Sequence, residues 1–245
     1  MKQNQNSQTV KVSVVFPAYN EADVLEDTIQ KVIQKLDNFS DSYEIIIAED
    51  GSTDGTNKLA ATLAKKNPHI THIHGVNRLG RGIALRNSFK KSRGKTLIYM
   101  DLDLATDLDH LKELISAINL EGFDVATGSR LLPESKVDRS WTRHIASSSY
   151  NLMVRILLGS KIKDHQCGFK SFRREPLLLL LNEVEANHWF WDTEILVRAN
   201  LKGLKIKEIP VLWRSGKETK VRLIEDSLNM FSQALSLWWK IKIRK

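Results

Sequence analysis

Thr96-Leu97-Ile98-Tyr99-Met100-Asp101-Leu102-Asp103 is the stretch on which the reading of this chain turns. An apolar run of strand length ends in two acids separated by one residue. In an extended chain, residues i and i+2 point to the same side, so both carboxylates can face one bound cation. Hard oxygen ligands of this kind suit Mg2+ or Mn2+ carrying a diphosphate, with water and phosphate oxygens completing the shell. The plain alternative is that the acids cap the next helix, but Asp107 and Asp109 are better placed for that.

Working outward, runs of the same kind recur at Val12 to Phe16, Glu44 to Ala48, Ile70 to Val76 and Asp124 to Thr127. Between them apolar residues fall at helical spacing, as in Val24, Leu25, Thr28, Ile29, Val32, Ile33 and Leu36. This alternation predicts an α/β fold, a mostly parallel central sheet flanked by helices. Asn20, Asp54 and Asp107 stand where helix N-caps are expected. Ligands of such sheets gather at the carboxyl ends of the strands, so function is sought in the residues just after each one. Beyond Arg130 the alternation weakens into a long helical stretch around Trp141 to Leu158, a loop at Asp164 to Lys170, then helix, strand and a terminal helix.

A chain of 245 residues, 42% hydrophobic and 27% charged, is long enough to bury the core of one large α/β domain, and no repeat or low-complexity linker divides it. The lone Cys167 excludes an internal disulfide and suits a reducing cytoplasm. The net charge of +8 attracts anions without choosing among nucleic acid, acidic lipid and phosphorylated small molecules. The first ten residues are polar where a signal peptide needs an apolar core. The densest apolar run, Leu177 to Leu181, falls far short of the roughly 18 to 20 residues that span a bilayer.

Two further loops follow strands: Pro17-Ala18-Tyr19-Asn20-Glu21 and Glu49-Asp50-Gly51-Ser52-Thr53-Asp54-Gly55-Thr56. Acids there can accept from a base N–H or a ribose hydroxyl, and Tyr19 offers a ring face; taken singly, each loop is also ordinary turn chemistry. Gly80-Arg81-Gly82 lacks the third glycine of a dinucleotide fingerprint, and Gly94-Lys95-Thr96 leads into a strand where a P-loop leads into a helix. Arg81 remains either a cation for a phosphate, carried on a flexible loop, or a solvated surface charge.

Pro17 to Glu21, Glu49 to Thr56, Asn77 to Gly82, Asp101 to Asp103 and Gly128-Ser129-Arg130 resemble, in order, the family 2 glycosyltransferases with the Rossmann-like GT-A fold. Asp164-His165-Gln166-Cys167-Gly168-Phe169-Lys170 and Trp191-Asp192-Thr193-Glu194 are similar to the branch that glycosylates polyprenyl phosphates, the dolichyl-phosphate glucose and mannose synthases. The resemblance covers roughly residues 10 to 235. It implies that Pro17, Tyr19, Glu21 and Asp50 hold the nucleoside, that Asp101 and Asp103 sit at the metal diphosphate, and that Arg214 with Lys220 closes over the phosphates. Arg81 joins this donor set. Arg130, Arg143 and Ser147 match positions that bind the acceptor phosphate; Arg143 and Ser147, four apart in a helical stretch, also share a face.

Where the mannose synthases continue the acid triplet with Leu-Gln, this chain has Leu104-Ala105-Thr106, which leaves the third metal ligand open. Asp192-Thr193-Glu194 looks more like the glucose branch, so the expected donor is UDP-glucose, then GDP-mannose. The expected reaction is inverting transfer of a hexose to a polyprenyl phosphate, with Asp101, Asp103, Asp192 and Arg143 as the catalytic set. If a saccharide hydroxyl were the acceptor, Asp192 would be its general base. A non-catalytic nucleotide-sugar-binding protein is the remaining alternative, and no nucleic-acid partner is expected. Ile224, Leu228, Phe231, Leu235 and Trp238 share one helical face ahead of a basic end with a second tryptophan, suited either to a membrane interface or to packing on the domain. The expected organisation is a tail at 1–10, a GT-A catalytic domain at 11–222 and a C-terminal amphipathic helix at 223–245. The expected location is cytoplasmic and peripheral, on the cytosolic face of a membrane, without a transmembrane helix.

Overall fold

A computed structural model describes residues 10–40, 42–215 and 223–243, the last segment with its side chains from 228 onward. In chain order the elements are β1 (Val12–Ala18), α1 (Ala22–Asp37), β2 (Tyr43–Asp50), α2 (Thr56–Lys66), β3 (Ile70–Gly75), α3 (Arg81–Lys91), β4 (Thr96–Met100), a short 3-10 turn (Leu108–His110) and α4 (Leu111–Asn119). The second half contributes β5 (Val125–Ser129), β6 (Lys136–Asp138), α5 (Trp141–Leu158), β7 (Phe169–Arg173), α6 (Arg174–Leu180), α7 (Trp191–Leu201), β8 (Ile206–Pro210), β9 (Leu212–Arg214) and α8 (Leu223–Ile243).

Seven strands form one sheet in the order β3-β2-β1-β4-β7-β5-β8, and β6 pairs with β9 in a small second sheet. The continuous apolar runs of β1, β2 and β4 are buried on both faces, as central strands require. One face packs Val14, Phe16 and Ile47 against Leu25, Ile29 and Val32 of α1 and Ala60 of α2; the other packs Val15, Ile46 and Tyr99 against Leu85, Phe89, Trp191 and Leu196.

The expected alternation holds through β5, with one addition. Strand β7 lies between β4 and β5 and runs antiparallel to both, where the sequence suggested a loop as far as Lys170. Its register sets Met100 opposite Phe169 and Tyr99 opposite Lys170. The reversed strand therefore delivers its own beginning, Cys167-Gly168, to the carboxyl end of β4.

Of the three expected caps Asp107 holds, and Asp54, one residue before the N-cap Gly55, still takes a first-turn N–H. The Asp107 carboxylate accepts from the Asp109 N–H at 2.9 Å and Asp54 from the Thr56 N–H at 3.0 Å. Asn20 is not the cap of α1: the N-cap position is Glu21, without a side-chain cap, and Asn20 Oδ1 takes the Thr53 N–H at 2.9 Å. Helix α8 packs Met230, Ala234 and Leu237 into the core beside Trp191 and leaves Leu228, Phe231, Leu235 and Trp239 exposed. Trp238, expected on the outer stripe, packs partly against the core, and the Ile224 side chain lies outside the described residues. Among the described residues, no helix is long and apolar enough to cross a membrane.

Candidate active site

The loops after β1 and β2 are laced together. Asn20 N–H donates to Ser52 Oγ at 3.0 Å, Glu21 N–H to Thr56 Oγ1 at 2.8 Å and Ala22 N–H to Asp54 Oδ2 at 3.0 Å. Pro17 lies within β1, opposite Ala48. The Asp50 carboxylate is almost wholly buried and takes the Leu79 and Gly80 N–H groups at 2.8 and 2.7 Å, so it anchors the loop entering α3. Gly80 sits at φ 109°, and a Cβ there would overlap the Asn187 carbonyl, which explains the glycine. The Arg78 guanidinium stacks 3.9 Å from the Tyr19 ring centroid and occupies the face that Tyr19 was expected to offer.

The acid triplet is a turn and not an extension of β4, which ends at Met100. Leu104 takes a left-handed φ of 48°, and Asp103 Oδ1 accepts the Ala105 N–H at 3.0 Å. The buried Leu102 enters the core, and its carbonyl accepts from Thr28 Oγ1 at 2.7 Å. Asp101 and Asp103 nevertheless line one small cavity of about 80 Å³, together with Thr106, Arg130, Gln166 and Gly168. Burial pushes the Asp103 carboxyl up, and the neighbouring Asp101 charge pushes it the same way. Two carboxylates repelling one another in one cavity form a hard-oxygen donor set that a divalent ion would relieve, and the residues present fit such an ion. Gly168 packs directly on Asp101: a Cβ there would overlap the carboxylate.

Arg81 opens α3 and is largely buried, neither on a flexible loop nor a surface charge. Its Nη2 lies 2.7 Å from Asp101 Oδ1 and its Nε 3.9 Å from Asp192 Oδ2. The guanidinium is thus ion-paired with Asp101 and stands buried at the edge of the acidic cavity. Behind it is a residue to which sequence reasoning gave no role. Lys170, fully buried, donates to Asp192 Oδ1 at 2.7 Å, to Tyr99 Oη at 3.1 Å and to the Cys167 carbonyl. Burial raises Asp192 to about 7 and lowers Lys170 to about 7, as expected of a pair driven toward neutrality by a dry site. The available signal was the strand alternation of Phe169-Lys170-Ser171-Phe172, which puts a lysine on the face it shares with Phe172.

Arg130 is held by Asp164, which accepts Nε at 2.7 Å, Nη2 at 2.9 Å and the Arg130 N–H at 2.9 Å. Burial alone would raise the Asp164 carboxyl, but the guanidinium overcomes it and holds it well below the usual carboxylate range. Arg130 also lines an open groove of about 550 Å³ beyond the acidic cavity, with His144, Arg155 and Lys163 as further cations or potential cations and Leu131, Leu132 and Leu152 as apolar walls. Arg143 and Ser147 are not among the residues lining this groove, although Ser148 is. Arg143 instead donates to Ser215 Oγ at 3.1 Å, beside the exposed Arg214. Lys220 lies outside the described residues.

The sequence profile described as Glycosyl transferase family 2 matches residues 13–179. Glycosyltransferase AglD of Haloferax volcanii is 48% identical over 237 residues, which is 96% of this chain and 38% of that protein; the chain thus spans well under half of this relative's length. Dolichyl-phosphate beta-glucosyltransferase of Saccharomyces cerevisiae is 31% identical over 252 residues, 94% of this chain and 75% of that one. Among solved structures, glucosyl-3-phosphoglycerate synthase from Mycobacterium tuberculosis, in complex with Mn2+, uridine diphosphate and glucosyl-3-phosphoglycerate, superposes with a TM-score of 0.64 at 20% identity, covering 92% of this chain and 77% of the other. At that identity the likeness speaks for the fold.

Proposed function

The chain belongs to glycosyl transferase family 2, and on that premise we propose that it transfers a hexose, with inversion, from a nucleotide-sugar to a polyprenyl phosphate at the cytosolic face of a membrane. One observation carries this reading: Arg130 lines both the acidic cavity and the groove beyond it. The first suits the diphosphate of a donor; the second, with cations set among leucines, suits an acceptor with an anionic head and an apolar tail. The yeast relative, named a dolichyl-phosphate beta-glucosyltransferase, supports the same acceptor class and a glucosyl donor, and in this reading UDP-glucose stands before GDP-mannose.

A phosphate monoester has a second pKa near 6, so the acceptor is mostly dianionic at neutral pH and needs little help from a general base. The contacts of Asp192 agree, because its Oδ1 is already taken by Lys170 and its Oδ2 faces Arg81, which ties the carboxylate into the floor of the site. Asp101 and Asp103 would hold Mg2+ or Mn2+, which supplies charge neutralisation for the departing diphosphate. Arg81, buried at the edge of the acidic cavity, brings its guanidinium to the same phosphates, Arg214 is a further cation for them, and Pro17, Tyr19 and Glu21 shape the nucleoside side behind the rim that Asp50 anchors. Arg130, which lines both spaces, orients the acceptor phosphate for in-line attack on the sugar C1.

Membrane contact has support on two packed helices. Trp141, Ile145 and Ile156 of α5 are exposed, as are Phe231, Leu235 and Trp239 of α8, with Lys240 and Lys242 nearby in sequence. Tryptophan and lysine at the edge of an apolar face are the chemistry of a bilayer interface. The test is to offer labelled UDP-glucose and GDP-mannose with polyprenyl phosphate and Mg2+ or Mn2+. Glucose label is expected in the organic phase; no organic-phase label from either donor would overturn the reading.

A further inference from the structure

Away from the acid triplet, the edge of the sheet gathers three side chains that the transfer reaction does not use. In the β2–β3 register Ile47 lies opposite His72 and Glu49 opposite His74. Alternation puts Glu49, His72 and His74 on one face, the face on which Ile47 joins the core formed with α1 and α2. His74 Nδ1 lies 2.5 Å from Glu49 Oε2, and one ligand atom from each of the three residues lies within 4.8 Å of the other two.

Two features make this more than a surface ion pair. The Glu49 side chain is wholly buried, and a buried carboxylate needs a positive partner; its ion-pair partner, His74, is positive only when protonated. His72 Nε2 is buried without a hydrogen-bond partner, and burial lowers that imidazole, favouring the neutral form that ligates metals. The His74 side chain, 40% exposed, provides an entry path from solvent.

We propose that Glu49, His72 and His74 form a second divalent-metal site, separate from Asp101 and Asp103 and selective for a borderline ion of the Zn2+ class. Two imidazole nitrogens and one carboxylate oxygen suit Zn2+, Co2+ or Ni2+, whereas Mg2+ prefers an all-oxygen shell. Three protein ligands leave a further position for water on the His74 side. The site adjoins the donor rim, since Glu49 Oε1 accepts the Ser52 N–H and the next residue, Asp50, anchors Leu79 and Gly80. Occupation therefore ties the edge strand to the laced loops after β1 and β2.

The test is calorimetric titration of the metal-stripped full chain with Zn2+ alone, in excess Mg2+ so that the carboxylate pair is already filled. One equivalent of Zn2+ is expected to bind. His74→Asn, at an exposed position that the fold tolerates, and Glu49→Gln, which keeps the side-chain shape, are each expected to weaken binding at least about tenfold. His188→Asn is the control and is expected to change nothing. The proposal fails if the parent chain binds no Zn2+ tighter than about millimolar, if His74→Asn binds as tightly as the parent, or if His188→Asn loses as much as His74→Asn.

Discussion

Replacing Lys170 with methionine removes a buried cation while the volume stays filled, and leaves Asp192 buried with Arg81 3.9 Å away as the remaining cation. Asp192 then escapes the dry site by taking up a proton. Holding a proton at pH 7 on a group whose unfolded pKa is about 3.9 costs about 1.4 kcal/mol per pH unit, or about 4 kcal/mol. The general cost of breaking a buried pair, about 3 to 5 kcal/mol, agrees. The intact pair carries as many protons as the unfolded chain does, so the penalty belongs to the variant and shrinks as pH falls, to about 1.5 kcal/mol at pH 5. Urea unfolding of parent and variant at pH 7, 6 and 5 reads it directly. The second substitution Asp192→Asn should recover most of the loss, giving a coupling well outside additivity. A penalty that stays constant from pH 5 to 7, or a double variant whose loss is the sum of the single ones, would refute the reasoning.

Burial pushes His165 down to about 4, while its ring nitrogens are paired with Ser160 Oγ and Asn151 Oδ1. The unfolded chain protonates this residue near 6.5 and the folded chain resists until about 4, so stability falls as pH drops through that window, by on the order of 3 kcal/mol in all; pH-dependent denaturation of His165→Gln should show that slope reduced. Gly168→Ala drives a methyl group into the Asp101 carboxylate, and its Mn2+ and donor affinity by calorimetry should fall at least about tenfold while the fold persists. Arg81→Lys keeps the charge but loses the fork, and should cost about 2 to 3 kcal/mol in kcat/KM for the donor with little change in acceptor KM.

The sheet was legible because β1, β2 and β4 are apolar runs separated by helical periodicity, a pattern set by burial on both faces. The acid triplet was legible because Leu102, facing the core, divides the two aspartates and both reach one cavity, although the backbone there is a turn. Strand β7 was not, since Lys170 and Ser171 make its short run read as polar; their burial depends on Asp192 and on the Leu114 carbonyl, partners distant in sequence. Asn20 stood at the expected cap position, yet the neighbouring loop claimed its side chain. Arg155 and Lys163 carried no local signal, since the groove they line exists only once α5 and the following loop are folded beside Arg130.

The reversed strand also dictates an order of assembly. Strands β1 to β4 can pair as they are synthesised, but the second edge of β4 waits for Phe169–Arg173, after everything from Asp101 to Gly168 has been made. During that interval a growing chain carries a four-stranded sheet whose new edge is a template for pairing with a neighbouring chain. Termination before Phe169 therefore yields an aggregation-prone fragment, and the sensitivity of nascent chains to crowding on a polysome peaks in this window and drops once β7 is inserted.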